Sequence, residues 1–158
     1  MATPDFVLRL RERVGTELLW LTGVTAVIVR EQPAVEVLLV RRADTGAWTA
    51  VTGIIDPGET VADTARREAL EEAGVVIEVE RVVWLHTLPP MEYPNGDRAQ
   101  YLDLVFACRW VSGDPYPADG ENTEAFWAPV SDLPVMSENM RERVRIALAD
   151  EPEARFER

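Results

Sequence analysis

One cysteine in 158 residues, Cys108, leaves no intrachain disulfide to fold around and fits a reducing cytosol. It stands inside an apolar run, where a thiol acts as a small buried side chain. Long apolar runs are also missing. The most apolar stretch, Leu18 to Val29, is too short to span a bilayer and carries Thr22, Gly23 and Thr25. The N-terminus has Asp5 and no basic-then-apolar leader pattern, so the expected compartment is the cytoplasm, with no membrane as partner. Positive charge is scarce. Sixteen Lys and Arg against 28 Asp and Glu give a net charge of −12, which argues against a nucleic-acid backbone as partner. A phosphate substrate stays open if a metal carries the contact. Histidine occurs once, at His86 in an apolar run, and reads as structural.

What is present is enough for a core. Apolar residues make up 47%, and the length suits one domain, with no internal repeat or low-complexity linker. Pro4 to Val14 reads as a short amphipathic helix with Phe6, Val7, Leu10 and Val14 on one side, ended by Gly15. Leu18 to Arg30 reads as a strand broken near Gly23, and Val35 to Arg41 as its hairpin partner. Trp48 to Thr52 is a short strand. Val75 to Trp84 holds one or two strands, with Glu78 and Glu80 outward. Leu88 to Asp97, with Pro89, Pro90, Pro94 and Asn95-Gly96, is a loop or long hairpin connection. Gln100 to Val111 and Thr123 to Val130 are further strands, and Ser131 to Pro134 is a turn. Ser137 or Glu138 to Ala149 is a helix with Met140, Val144 and Leu148 spaced at four. The charged tail, about 150–158, is expected to fray. Strands, a central helix and a C-terminal helix together indicate a mixed α/β domain.

The central helix carries the chemistry. Gly53 to Val75 reads G-I-I-D-P-G-E-T-V-A-D-T-A-R-R-E-A-L-E-E-A-G-V. Thr60 with Asp63 resembles a capping box with Asp in place of Glu, and Gly74 supplies the stop. On a helix Glu68, Glu71 and Glu72 are related by i+3 and i+4 and crowd one face, where like charges destabilise. Arg67 can pair with Glu71, and a divalent cation of the Mg²⁺ or Mn²⁺ kind can neutralise the rest. A charged helical face is usually only a solvated one. The order of residues argues otherwise here. Gly53, five residues, Glu59, seven residues, Arg67-Glu68-Ala69, one residue, Glu71-Glu72, one residue, Gly74-Val75 resembles the Nudix box at every defined position, with Ala69 the smallest acceptable aliphatic residue.

That resemblance implies a single Nudix domain over residues 1–158, built as an α/β/α sandwich around a mixed sheet. It also implies Mg²⁺-dependent hydrolysis of a nucleoside diphosphate linked to another group. By resemblance, Glu68 and Glu72 are metal ligands, with Glu71, Glu59 and the carbonyl of Thr52 as further ligands, and Arg67 orients a carboxylate. A general base comes from a box glutamate or from a distant loop, where Glu124 is favoured over Glu121. Arg41 and Arg42 end the strand facing the box loop and are candidates for holding phosphates. Trp48 and Tyr93, with Tyr101 and Phe126, are candidates for stacking on a base, although core packing is the commoner role. The resemblance leaves a homodimer open.

Three functions compete. The single-glycine opening at Gly53, and Pro89-Pro90 downstream, resemble the branch acting on ADP-ribose and nucleotide sugars. Tyr93 lies near a tyrosine of diadenosine polyphosphate hydrolases. The length and the Phe126-Trp127 strand also suit small enzymes that clear non-standard nucleoside triphosphates. A nucleotide sensor without catalysis would have lost box glutamates, and all are present.

Overall fold

The structure, a computed structural model, describes residues 3–149 and 151–157. Nine strands form one mixed sheet, in the order β3 (Trp48–Thr49), β2 (Glu36–Arg42), β1 (Leu19–Arg30), β7 (Arg98–Ser112), β5 (Val76–Thr87) and β9 (Arg155–Phe156). Off this path, β4 (Val51–Ile54) pairs with β1, β6 (Met91–Glu92) with β7, and β8 (Asn122–Pro129) with β2. β1 runs parallel to β7 over its length, while its other edge is shared: Val29 and Arg30 meet β2, and Gly23 to Ala26 meet β4. Among the described residues there are three α-helices, α1 (Asp5–Val14), α2 (Val61–Ala73) and α3 (Glu138–Leu148), and a short 3-10 turn at Val130–Asp132.

Period-two alternation sorts the strand residues into two cores. Val24, Ala26, Ile28, Leu38 and Val40 pack with Ala65, Ala69 and Ala73 of α2. Val27, Val37 and Leu39 pack with Met140, Val144 and Ala147 of α3. A smaller cluster of Val7, Leu21, Ile54, Ala99 and Tyr101 seats α1 at one end of the sheet. The result is the expected α/β/α sandwich. Among the described residues no helix is long and apolar enough to cross a membrane.

Several local expectations change. β1 does not break at Gly23, because that residue is held on both sides, opposite Ile54 of β4 and Asp103 of β7. The strand before the box divides at Ala50, with Trp48–Thr49 on β2 and Val51–Ile54 on β1. Leu10 and Val14 of α1 are exposed, as is Leu8, and only Val7 is buried, since α1 meets the sheet through a narrow strip. The tail is anchored in part. β9 pairs in parallel with β5, and Arg81 donates to the carbonyls of Ala149 and Glu151.

Candidate active site

The box helix is fixed at both ends by its own sequence. Thr60 caps α2 by accepting from the backbone N–H of Asp63, and its hydroxyl donates to the Asp63 carboxylate. Such a cap is worth about 1 kcal/mol. At the other end Gly74 takes the left-handed conformation (φ 67°), and its N–H reaches the carbonyls of Ala69 and Leu70. A Cβ there would stand 2.2 Å from the Tyr116 ring. The loop after β7 latches the same helix end, with Tyr116 N–H donating to Ala73 O and Ala118 N–H to Glu72 O.

Between these ends α2 carries a charge pattern that stability alone would not select. Glu71 and Glu72 occupy its last turn, which has no basic residue, although the negative end of a helix dipole disfavours carboxylates. Glu68 and Glu72 are only 5% and 3% exposed. Burial pushes the Glu68 carboxyl up to about 7 against the opposing pull of Arg67. Burial also pushes Glu72 up, and the Glu68 charge adds to the effect while a bond from the Thr52 backbone opposes it.

Arg67 ties the remaining carboxylates together. Its Nε and Nη2 donate to the two oxygens of Glu59 at 2.8 and 2.9 Å, and its Nη1 donates to Glu68 and Glu71 at 2.9 and 3.0 Å. A fifth contact reaches the Ile54 carbonyl at 3.3 Å. Glu59 also accepts from the Thr64 hydroxyl at 2.8 Å, and the Arg67 guanidinium holds its carboxyl down at about 2. Both Glu59 oxygens are therefore committed to neighbours. Among the described residues no three acidic, imidazole or thiol side chains converge as a metal-ligand group. Glu68, Glu72 and the Thr52 carbonyl are the groups left that could hold a hard cation, which takes oxygen ligands and completes its shell with water.

A cleft of about 750 Å³ is lined by Thr52 and Gly53, the backbone against which the Glu72 and Glu68 side chains pack. The cleft follows β1. Toward one end stand Leu21, Ile54, Ala99 and Tyr101, walled by Val7 and Arg11 of α1 and by Met91 and Tyr93 of the β6–β7 hairpin. Toward the other stand Thr49, Asp103, Met140 and Arg143. Here Arg143 donates to the Thr25 hydroxyl at 2.8 Å and lies 3.5 Å from Asp103, which is bonded by Thr25 and sits 3.0 Å from His86 Nε2. His86 stacks on Trp84 with ring centroids 3.6 Å apart.

Of the residues singled out for substrate, the cleft contains Arg42, Tyr93 and Tyr101. The Arg42 guanidinium is held up by its bond to Asp44 and also senses the Glu72 charge. Opposite Arg42 on β8, Asn122 is buried and its amide nitrogen has no hydrogen-bond partner. Arg41 and Trp48 lie elsewhere. Arg41 donates to Glu124 at 2.8 Å and stands over the Trp48 ring, which packs edge-on against Phe126. Ala125 and Trp127 pack on the α2 side and Phe126 on the α3 side, so alternation turns Glu124 away from the α2 carboxylates.

The sequence reading missed Asp103 and Arg143 at the cleft floor, and the buried Thr25 that bonds both of them. One signal was available. Asp103 shares the buried parity of Ala99, Tyr101 and Val105, where an acidic residue needs a partner. No local signal marks Arg143, because its partners lie on strands far away in sequence.

Comparison with known proteins places the chain among relatives. The NUDIX domain family model matches residues 20–150. A MutT-like protein of Streptomyces ambofaciens is 32% identical over 128 residues, covering 81% of this chain and 74% of that protein. The NAD-capped RNA hydrolase NudC of Deinococcus radiodurans is 36% identical over 104 residues, covering 65% of this chain, which spans only 34% of that relative's length. Among solved structures, an ADP-ribose pyrophosphatase of Streptococcus suis superposes with a TM-score of 0.64 at 24% identity, covering 90% of this chain and 99% of that one.

Proposed function

Since the chain belongs to the NUDIX family, we propose that it is a Mg²⁺-dependent pyrophosphohydrolase that cleaves the diphosphate of a nucleoside diphosphate joined to a second group. The single observation that carries this reading is that Thr52 and Gly53, which back onto Glu72 and Glu68, line the cleft. Thr52 and Gly53 stand midway along it, with chain-built space on both sides. A substrate whose diphosphate lies at that point has one group toward α3 and another toward α1.

Nudix hydrolases generally need a divalent metal, and Glu68, Glu72 and the Thr52 carbonyl are the groups that would hold it. When bound, such an ion supplies charge neutralisation and Lewis acidity to phosphate chemistry. The chain itself does the positioning. Arg67 locks Glu59 and turns Glu68, fixing the carboxylate face against the box loop. Arg42, which lines the cleft, is a donor suited to phosphate oxygens. Glu71, with its side chain 54% exposed and one turn from Glu68, is the box carboxylate open to water, and we assign it the proton from the attacking water. Glu124 is a poorer choice because Arg41 holds it on the other face.

A second reading is hydrolysis of non-standard nucleoside triphosphates, which the chain's length and its Phe126-Trp127 strand also suit. The two-sided cleft supports the first. A net charge of −12 supports a small nucleotide over an RNA substrate, and the single buried Cys108 supports a cytoplasmic location. The test is a panel of nucleotides with Mg²⁺, read by nucleoside monophosphate and phosphate release. The expected result is a higher kcat/KM for ADP-ribose or another two-sided diphosphate than for any deoxynucleoside triphosphate. Fastest hydrolysis of a triphosphate would select the second reading.

A further inference from the structure

Glu72 stands one residue from the end of α2, where helices fray, yet its side chain is buried. Several forces favour its release to water. Burial disfavours the charge, Glu68 and Asp119 repel it, and the negative end of the helix dipole adds to them. We propose that the loop between β7 and β8, residues 113–121, is a strap that keeps Glu72 in place for a divalent cation, with Tyr116 as its anchor and a positioning residue of the site. This rests on the pyrophosphohydrolase reading for what the site does.

The strap is built onto the end of α2 at successive points. Trp110 donates from its indole N–H to the Gly113 carbonyl at 2.9 Å, which fixes the start of the loop. Gly113 lies so close to the helix end that a Cβ there would meet the Gly74 carbonyl oxygen at 2.6 Å. The Tyr116 ring fills the space beside Gly74 that a Cβ would take, and its N–H donates to Ala73 O at 3.2 Å. Ala118 N–H donates to Glu72 O at 3.3 Å. These two donors cap carbonyls that a helix end otherwise leaves to water. The last turn has no basic side chain to take that place.

The far end of the strap reaches the cleft. Glu121 O accepts from Ala43 N–H at 2.8 Å, and Asn122 pairs with Arg42. One loop therefore ties the turn that carries Glu72 to the strand end that carries Arg42, a donor lining the cleft. The Tyr116 residue is 57% exposed, so it adds little to the core, and what its ring covers is the helix end.

Calorimetry of Mn²⁺ binding without nucleotide reads the strap directly. Tyr116→Ala should weaken Mn²⁺ at least ~10-fold, the scale of losing a group that orients a ligand, while kcat returns to the wild-type value at saturating metal. Tyr116→Phe keeps the ring and should restore wild-type affinity. Ala118→Pro removes the N–H bonded to Glu72 and should act as Tyr116→Ala does, which keeps the test valid if that variant is unstable. In the Glu72→Gln background, Tyr116→Ala should cause no further loss of affinity, because it acts through Glu72. A loop that only supports the fold gives another pattern. A lower Tm with unchanged Mn²⁺ affinity in both single variants, or a full additional loss in the Glu72→Gln background, overturns the proposal. So does a wild-type protein that binds neither Mn²⁺ nor Mg²⁺. If the ions bind and no nucleotide is hydrolysed, the pyrophosphohydrolase reading fails, and the calorimetry still decides the role of Tyr116.

Discussion

Gly53 and Glu68 occupy space that only one Cβ can fill. A methyl group on Gly53 would stand 2.2 Å from Cγ and 2.3 Å from Cδ and Oε1 of Glu68. The opening glycine of the box is thus a steric requirement of the buried carboxylate fifteen residues further along the sequence, across the β4–α2 turn. Gly53→Ala should fold, since the clash falls on a side chain that can rotate, but it should move Glu68 off its site. The expected loss is at least ~100-fold in turnover, the scale of a removed electrostatic contact, with weaker Mg²⁺ binding by calorimetry. Wild-type rates would break the link between this glycine and the metal.

Glu72→Gln keeps the shape of a side chain that is 3% exposed and removes its charge. Mg²⁺ affinity and turnover should both fall, turnover by about 100-fold, with circular dichroism unchanged. Unaltered affinity would remove Glu72 from the ligand set.

Buried carboxyls also set the pH dependence of the metal-free protein. Glu68 titrates at about 7 when folded and at the ordinary 4.5 when unfolded. The folded state therefore binds the extra proton between these values, and stability falls as pH rises through that window. The metal-free Tm should drop from about pH 5 toward 7.5. Glu68→Gln should flatten that slope, and Mg²⁺ should offset it near neutral pH. A metal-free Tm that rises across the same range would contradict the assignment.

Glu124→Gln should leave kcat within about threefold of wild type, because an exposed ion pair such as Arg41–Glu124 contributes only ~0–1 kcal/mol and this one faces away from α2. Glu71→Gln should instead lower kcat more than it weakens metal binding. A large kcat loss at Glu124 would return the proton-accepting role to β8.

Arg143→Leu tests the cleft floor as a structural element. It leaves Asp103 buried beside His86 with its cationic partner gone. Breaking a buried pair on one side costs about 3–5 kcal/mol, which urea unfolding would register.

The box was legible because its information is local. Thr60, Gly74 and the glutamate spacing act within one helix and its turns, and each was found where the spacing put it. The strands followed from alternation, with boundaries displaced at Ala50 and at the tail, where pairing partners decide the ends. The floor of the cleft was not legible. Asp103 and Arg143 meet only because β7 and α3 pack together, and no spacing along the chain encodes that. Glu124 shows the complementary failure: its distance from the box along the sequence said nothing about which face of β8 it would take.

The parallel pairing of β1 with β7 sets a timetable for synthesis. Leu19 pairs with Ala99 and Val29 with Arg109, eighty positions further along the chain. A ribosome adding roughly 5–20 residues per second needs about 4–16 s to supply that partner. During this interval the most apolar strand of the protein has only β2 and β4 to shelter one edge. The nascent chain is consequently most prone to aggregation, and most dependent on chaperones, before residue 109 emerges. The cleft that β1 and β7 share is among the last features to form.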